Sequence, residues 1–109
     1  RYSMRIAINE SQPQLELIEP LDGPSIYHEW LDAHGEGVHH LAFAVPSLDE
    51  AIAQMAAAGY PLLQSGGGHG VDGDGGFAYF DTAAAVGTIL EAVQPPRRRR
   101  TPDFVWPPA

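Results

Sequence analysis

Two six-residue segments far apart in the chain share one residue pattern, and this repetition constrains the fold more than any other feature. Residues 15–20 and 90–95 share the pattern Leu, Glu, two apolar residues, Glu or Gln, and Pro. Their glutamates, Glu16 and Glu91, are 75 residues apart, a plausible length for one supersecondary unit with its linker. Each segment is typical of a strand ended by proline, and each follows another strand-like segment. The sequence therefore predicts two copies of one module.

The order of the predicted elements gives the layout of that module. Apolar alternation or a short apolar run indicates strands at six places: residues 2–8, 14–19, 38–45, 60–64, 77–81 and 88–94. Ser47 and Glu50 form a capping-box pattern that begins a helix after the third strand. A glycine-rich loop is expected at residues 65–76, because glycine permits many backbone conformations.

These elements predict an α+β fold of paired βαβββ modules. Residues 38–96 contain one complete module, whereas residues 1–21 match only the last two strands of another. Residues 22–37 would form a linking helix, and residues 97–109 form an Arg- and Pro-rich tail. Because the first segment already resembles a strand, we expect the first module to be truncated at its N-terminus, with more of it upstream of Arg1.

Composition narrows the chemistry that such a chain can perform. The sequence has no cysteine, so a metal ion would need His, Asp or Glu as ligands. The net charge is −8 although residues 97–100 are four consecutive arginines, and so acidic a body argues against nucleic acid as a partner. No apolar run is long enough for a bilayer and no signal peptide is seen, so a cytoplasmic protein is expected.

The repeat predicts a metal site. Equivalent strands of two facing modules would bring Glu16 and Glu91 to one cavity, where two carboxylates stay ionised together only beside a cation. In the strand at residues 38–45, alternation places His40 on a face with small side chains, which leaves room for a ligand. His39 lies on the other face with the bulky apolar side chains of the strand, Leu41, Phe43 and Val45, which suit packing against the helix. We therefore predict Glu16, His40 and Glu91 as metal ligands and His39 as a structural residue.

Two stretches carry a resemblance to a known family. They are Leu-Glu-Leu-Ile-Glu-Pro-Leu at residues 15–21 and Gly-Val-His-His-Leu-Ala-Phe at residues 37–43, separated by the short helix. With them the chain resembles the vicinal oxygen chelate (glyoxalase/bleomycin-resistance/dioxygenase) superfamily, and within it the methylmalonyl-CoA epimerase-like members. The resemblance covers residues 2–95. It implies a divalent metal, such as Co, Ni, Mn, Fe or Zn, with the second histidine of the pair and the last-strand glutamate among its ligands.

The resemblance also implies an activity. The expected enzyme is a glyoxalase-type isomerase, epimerase or lyase that stabilises the enolate of a carbonyl or acyl-CoA substrate on the metal. Those epimerases carry a proton-transferring Glu on the strand that corresponds to residues 2–8, but this strand has no acidic residue, and Met4 or Arg5 stands at that place. The base is therefore sought in Glu16, in Glu91 or upstream of Arg1.

The remaining expectations concern substrate binding, the C-terminal tail and two alternative functions. Arg5, Tyr79 and His69 are predicted to bind substrate, His69 as part of a lid if the glycine-rich loop is not merely a mobile connection. Residues 97–100 are expected to be a solvated tail or to hold an anionic substrate group, and the apolar residues 104–106 suggest a homodimer. The alternatives are a metal-free binding protein of the bleomycin-resistance type and an extradiol-type dioxygenase.

Overall fold

The chain divides between two adjacent histidines. The computed structural model describes residues 1–107, and its contacts separate an N-terminal unit, Arg1–His39, from a C-terminal unit, His40–Ala109. None of the helices in the described part of the chain is long and apolar enough to cross a bilayer.

The N-terminal unit consists of a strand hairpin followed by a helix. Strand β1 (Met4–Ile8) pairs antiparallel with β2 (Glu16–Pro20), and Ile8 lies opposite Glu16. Helix α1 (Ile26–His34) begins at Ser25, whose hydroxyl oxygen accepts a hydrogen bond from the backbone N–H of His28 at 3.3 Å. Such a side-chain cap satisfies one of the N–H groups that a helix start leaves without an intrahelical acceptor.

The C-terminal unit is a four-stranded mixed sheet with a helix on one face. Its elements are β3 (His40–Ala44), α2 (Leu48–Ala57), β4 (Leu62–His69), β5 (Gly75–Phe80), α3 (Ala83–Val86) and β6 (Ile89–Gln94). The strand order is β3-β6-β5-β4, with β3 parallel to β6 and the other neighbouring pairs antiparallel. This is the predicted βαβββ module, with the single turn α3 as an addition that the sequence did not indicate.

Helix α2 forms as its start signal predicts and covers the hydrophobic core. The hydroxyl oxygen of Ser47 accepts a hydrogen bond from the N–H of Glu50 at 3.2 Å. The apolar residues of the helix then pack on the buried side chains of the sheet, which are Ala78, Phe80 and Ala92. Burial of this apolar face stabilises the helix on the sheet, since most helical stability in proteins comes from such packing.

One predicted contact of β3 is wrong. Leu41 and Phe43 were expected to pack against the helix, but they are 57% and 42% exposed, and only Val45 of that row joins the core. The reason is that α2 packs on β4, β5 and β6. Alternation identifies the face on which a side chain lies, but it does not show which strands the helix covers.

The predicted glycine-rich loop at residues 65–76 is mostly a strand hairpin. Strand β4 continues through His69 and β5 begins at Gly75, which leaves only residues 70–74 as the connection. Gly66 lies opposite Phe77, and a Cβ atom at Gly66 would stand 2.5 Å from the Phe77 ring. Glycine is therefore used at this position to make room for a ring, not to break the strand.

Thr82 joins the end of β5 to the start of β6 and supplies a test of this packing. Its buried hydroxyl donates to the carbonyl oxygen of Thr88 and accepts from the N–H of Leu90, both at 2.8 Å.

Thr82→Val keeps the shape but leaves these two backbone groups unmatched, so the free energy of unfolding should fall by about 1–3 kcal/mol. Thr82→Ser keeps the hydroxyl and should lose only about 0.8 kcal/mol for the missing methyl group. Urea denaturation measures both, and a Val variant as stable as the Ser variant would contradict this role.

Candidate metal centre

The sheet face that α2 leaves uncovered carries the predicted ligands of the C-terminal unit. Tyr79 on β5 lies directly opposite Glu91 on β6, and Ala42 on β3 is the partner of Glu91 on the other side. His40 precedes Ala42 by two residues and therefore points to the same face, because side chains alternate along a strand. Three neighbouring strands thus place His40, Glu91 and Tyr79 together.

His40 and Glu91 form a close and buried pair. Nε2 of His40 lies 3.3 Å from Oε1 of Glu91, and the two side chains are only 10% and 9% exposed. A carboxylate removed from water is costly unless a proton donor or a cation compensates its charge. The pair can therefore share a proton or bind a cation, and both arrangements need the imidazole to face the carboxylate.

A row of rings runs along the same face from this pair. The Tyr79 ring meets the His40 ring edge-on, with centroids 4.9 Å apart and planes at 68°. The Phe77 ring follows at 5.3 Å from Tyr79, and the His69 ring at 5.5 Å from Phe77. Phe77 and Tyr79 are buried, whereas His69 is exposed at the end of β4. Alternation along the sequence places Phe77 and Tyr79 on one face, but it does not predict their ring contacts with His69 and His40.

The donor atoms present fit part of a metal site. Two metal–ligand bonds of roughly 2.0–2.2 Å can together span 3.3 Å, so one ion could contact both His40 and Glu91. An imidazole nitrogen and a carboxylate oxygen suit the divalent metals predicted above. Within residues 40–107, no third His, Asp or Glu joins them at metal-binding distance. The C-terminal unit could therefore provide two donors to a metal ion, which would need further ligands.

The remaining predicted residues are distributed over both units. Glu16 is the first residue of β2 in the N-terminal unit, half-buried, and like Glu91 it lies on the second strand of an antiparallel hairpin. Arg5, also in that unit, donates from Nη1 to Oε1 of Glu19 at 2.8 Å with both side chains largely exposed. The assignments of Glu16, His40 and Glu91 to a metal, and of Arg5, Tyr79 and His69 to a substrate, stay predictions.

His39 has surroundings that differ from those of His40. Its ring lies 5.1 Å from the Tyr27 ring and 5.5 Å, edge-on, from the Trp30 ring, both on α1. This aromatic environment is that of a packed side chain within the N-terminal unit. The two adjacent histidines therefore contact different sets of residues, as expected when successive side chains point to opposite sides of an extended chain.

The arginine-rich segment holds the loop at residues 70–74. Arg98 forms two hydrogen bonds with the Asp72 carboxylate, Nε to Oδ2 at 3.0 Å and Nη2 to Oδ1 at 2.5 Å. The backbone N–H and Nε of Arg97 each donate to Oδ2 of Asp74 at 3.3 Å. Opposite charges therefore pair the two segments, while the side chains of Arg97 and Arg98 remain 83% and 67% exposed to solvent.

Ionisation of Asp74 favours this contact. Burial raises the pKa of the Asp74 carboxyl, but hydrogen bonds from Arg97 and the charge of its guanidinium outweigh burial and hold the pKa below the usual value. A group with a lowered folded-state pKa stabilises the structure while it is ionised. The contact is therefore complete above the pKa of the unfolded carboxyl and weakens as the pH falls through the folded one.

The backbone between the two segments offers a direct measurement. The N–H of Val71 donates to the carbonyl oxygen of Arg98 at 2.8 Å, so its exchange with solvent reports on the loop–tail contact. Asp72→Asn should speed this exchange a few-fold, because an exposed ion pair contributes little. Asp103→Asn, which makes the same charge change in the tail, is the matched control. Equal exchange of Val71 in the wild type and in Asp72→Asn would show that the pair does not hold the loop.

Comparison with known proteins identifies the superfamily to which the chain belongs. A family model of the Glyoxalase/Bleomycin resistance protein/Dioxygenase superfamily matches residues 2–80. The chain belongs to this superfamily, which confirms the resemblance seen in the sequence.

Particular relatives and solved structures agree with this. The uncharacterized protein YqjC of Bacillus subtilis (strain 168) is 30% identical over 82 residues, which cover 75% of this chain and 58% of YqjC. The structure of hypothetical protein BH1468 from Bacillus halodurans C-125 matches with a TM-score of 0.68 at 26% identity, covering 90% of this chain and 71% of that one. The structure of methylmalonyl-CoA epimerase from Mycobacterium tuberculosis matches with a TM-score of 0.65 at 26% identity, covering 85% of this chain and 63% of the epimerase. The chain thus spans less than two thirds of YqjC and of that epimerase.

Proposed function

We propose that this chain belongs to a metal-dependent isomerase, epimerase or lyase of the glyoxalase type, acting on a carbonyl or acyl-CoA substrate. The observation that carries the proposal is the buried pair of His40 and Glu91, with Nε2 and Oε1 at 3.3 Å. The superfamily match supports an enzyme of this kind. The likeness to methylmalonyl-CoA epimerase supports a thioester as the substrate class.

His40 and Glu91 are the proposed ligands from the C-terminal unit. Glu16 is the third, and its assignment rests on the repeat of residues 15–20 in residues 90–95. A divalent cation held by these residues would supply positive charge that stabilises the enolate formed when a substrate loses its α-proton. Oxygen and nitrogen donors leave the choice among Co, Ni, Mn, Fe and Zn open.

The side chains around the pair would assist the same chemistry. Glu16 or Glu91 would move the α-proton through a carboxylate oxygen, since a carboxylate is the only side-chain base other than histidine among the predicted ligands. Phe77 and Tyr79 would shield the reacting carbon from water, because both are buried on this face. His69, exposed at the end of the row, and Arg5 would contact the polar part of the substrate.

A metal-free binding protein is the second candidate. The buried rings of Phe77 and Tyr79 beside the pair favour it, because they would serve as a binding surface for an apolar ligand. In that case the Glu91 carboxylate would accept a hydrogen bond from the N–H of the His40 ring and would bind no ion. An extradiol-type dioxygenase would need a second histidine on the metal.

Paired histidine variants separate these functions. Isothermal titration of the wild type with Co²⁺ or Mn²⁺ should give stoichiometric binding that His40→Ala abolishes, because a neutral imidazole nitrogen is lost from the metal. His39→Ala is the matched control: it should bind nearly as much metal, since its ring packs on Tyr27 and Trp30. Full metal retention in His40→Ala would show that the ion binds elsewhere, and equal loss in both variants would mean that His40 is not the specific ligand. A wild type that binds neither ion would leave the metal-free binding protein as the function.

The activity has its own measurement on the same samples. Metal-loaded protein should exchange the α-proton of an acyl-CoA thioester for solvent deuterium, as followed by NMR, and His40→Ala should lose this exchange. A metal-loaded wild type that catalyses no exchange with acyl-CoA or simple carbonyl compounds would contradict the proposed chemistry and leave the metal site intact as a finding.

We also propose a homodimer. Phe104 and Trp106 are 75% and 77% exposed in the described chain, and large apolar side chains so exposed are typical of contact surfaces. Size-exclusion chromatography with light scattering at micromolar concentration should give twice the mass of one chain. Phe104→Ser with Trp106→Ser should shift the mass toward the monomer, and a wild type that is already monomeric would contradict the proposal.

A further inference from the structure

We propose that Tyr79 is a positioning residue for His40, and that its ring holds the imidazole so that Nε2 faces Glu91. This inference rests on the proposed metal site. The Tyr79 ring contacts the His40 ring edge-on at 4.9 Å and 68°, and Tyr79 lies directly opposite Glu91 in the sheet. One buried side chain is thus placed beside both donors.

A ring contact can orient the imidazole of His40, because the torsion of that side chain does not fix it. The χ2 angle of histidine has a broad, roughly two-fold preference, so the rotamer alone does not determine where Nε2 points. Edge-to-face contacts between rings whose centroids are 4.5–7 Å apart are favourable and orient both rings. The Tyr79 ring supplies this orientation from β5, across β6 from the strand that carries His40.

Tyr79 is itself held from the other side. The Phe77 ring meets it edge-on at 5.3 Å with planes at 63°, and Phe77 in turn lies over Gly66, where a Cβ atom would not fit. Strand β5 is paired on both sides: Gln64 on β4 is the partner of Tyr79 on one side, and Glu91 on β6 is its partner on the other. The ring of Tyr79 therefore has little freedom to turn away from His40.

The neighbouring residue offers a matched control. Phe80 follows Tyr79 on the same strand, is also fully buried and points to the opposite face, where it packs in the core under α2. Replacing either ring by leucine removes similar volume from the interior and should lower stability similarly. Only the change at Tyr79 removes a contact of His40.

Cobalt binding tests the proposal. Wild type, Tyr79→Leu, Tyr79→Phe and Phe80→Leu would be compared by Co²⁺ titration and by the visible absorption of the bound ion, which reports its ligand geometry. Tyr79→Leu should weaken Co²⁺ binding about tenfold and change the spectrum, since residues that orient a ligand typically affect metal affinity on this scale. Tyr79→Phe, which keeps the ring, should keep the Co²⁺ affinity and the spectrum of the wild type. Phe80→Leu should lower the melting temperature and keep the affinity and spectrum of the wild type.

The outcomes distinguish this proposal from the proposed function. A wild type without Co²⁺ binding would overturn the metal site and the positioning role together. A wild type that binds Co²⁺, with Tyr79→Leu matching it in affinity and spectrum, would overturn the positioning role alone, as would equal weakening in Phe80→Leu. If Tyr79→Leu does not fold, Tyr79→Met, whose flexible side chain fills more of the same space, takes its place with the same expected loss.

Discussion

The pairing of β6 with a strand on each side determines where His40, Glu91 and Tyr79 lie. Its register puts Ala42 beside Glu91 on one side and Tyr79 on the other. The small methyl group of Ala42 leaves room next to the carboxylate, and His40 reaches Glu91 across the diagonal. A shift of one residue would turn Glu91 to the face under α2, where its charge would be buried among apolar side chains. The register is therefore a condition for both the core and the site.

Local signals in the sequence were sufficient for most of the fold. The capping box at Ser47, the alternation in the strands and the order of elements predicted a βαβββ module, and the structure and the superfamily match confirm it. These features depend on neighbours within a few residues, which a single sequence shows directly. The separation of His39 from His40 has the same origin, because alternation along an extended chain assigns adjacent side chains to different surroundings.

The features that the sequence did not predict depend on residues far apart in the chain. Gly66 was assigned to a loop because the sequence alone does not show that the Phe77 ring lies across from it. The exposure of Leu41 follows from the placement of α2 on other strands. The pairing of Asp72 with Arg98 joins segments 26 residues apart, and only their opposite charges gave a sign of it. The metal roles of Glu16, His40 and Glu91 remain predictions, and the close buried pair supports two of them.

The central claim is that His40 and Glu91 bind one divalent ion. Anomalous diffraction from crystals grown with Mn²⁺ or Co²⁺ tests it most directly, because it locates the ion independently of any activity. We expect an anomalous peak roughly 2.0–2.2 Å from both Nε2 of His40 and a carboxylate oxygen of Glu91, with further ligands visible around it. A crystal at saturating metal with no peak there, and with His40 hydrogen-bonded directly to Glu91, would contradict the account.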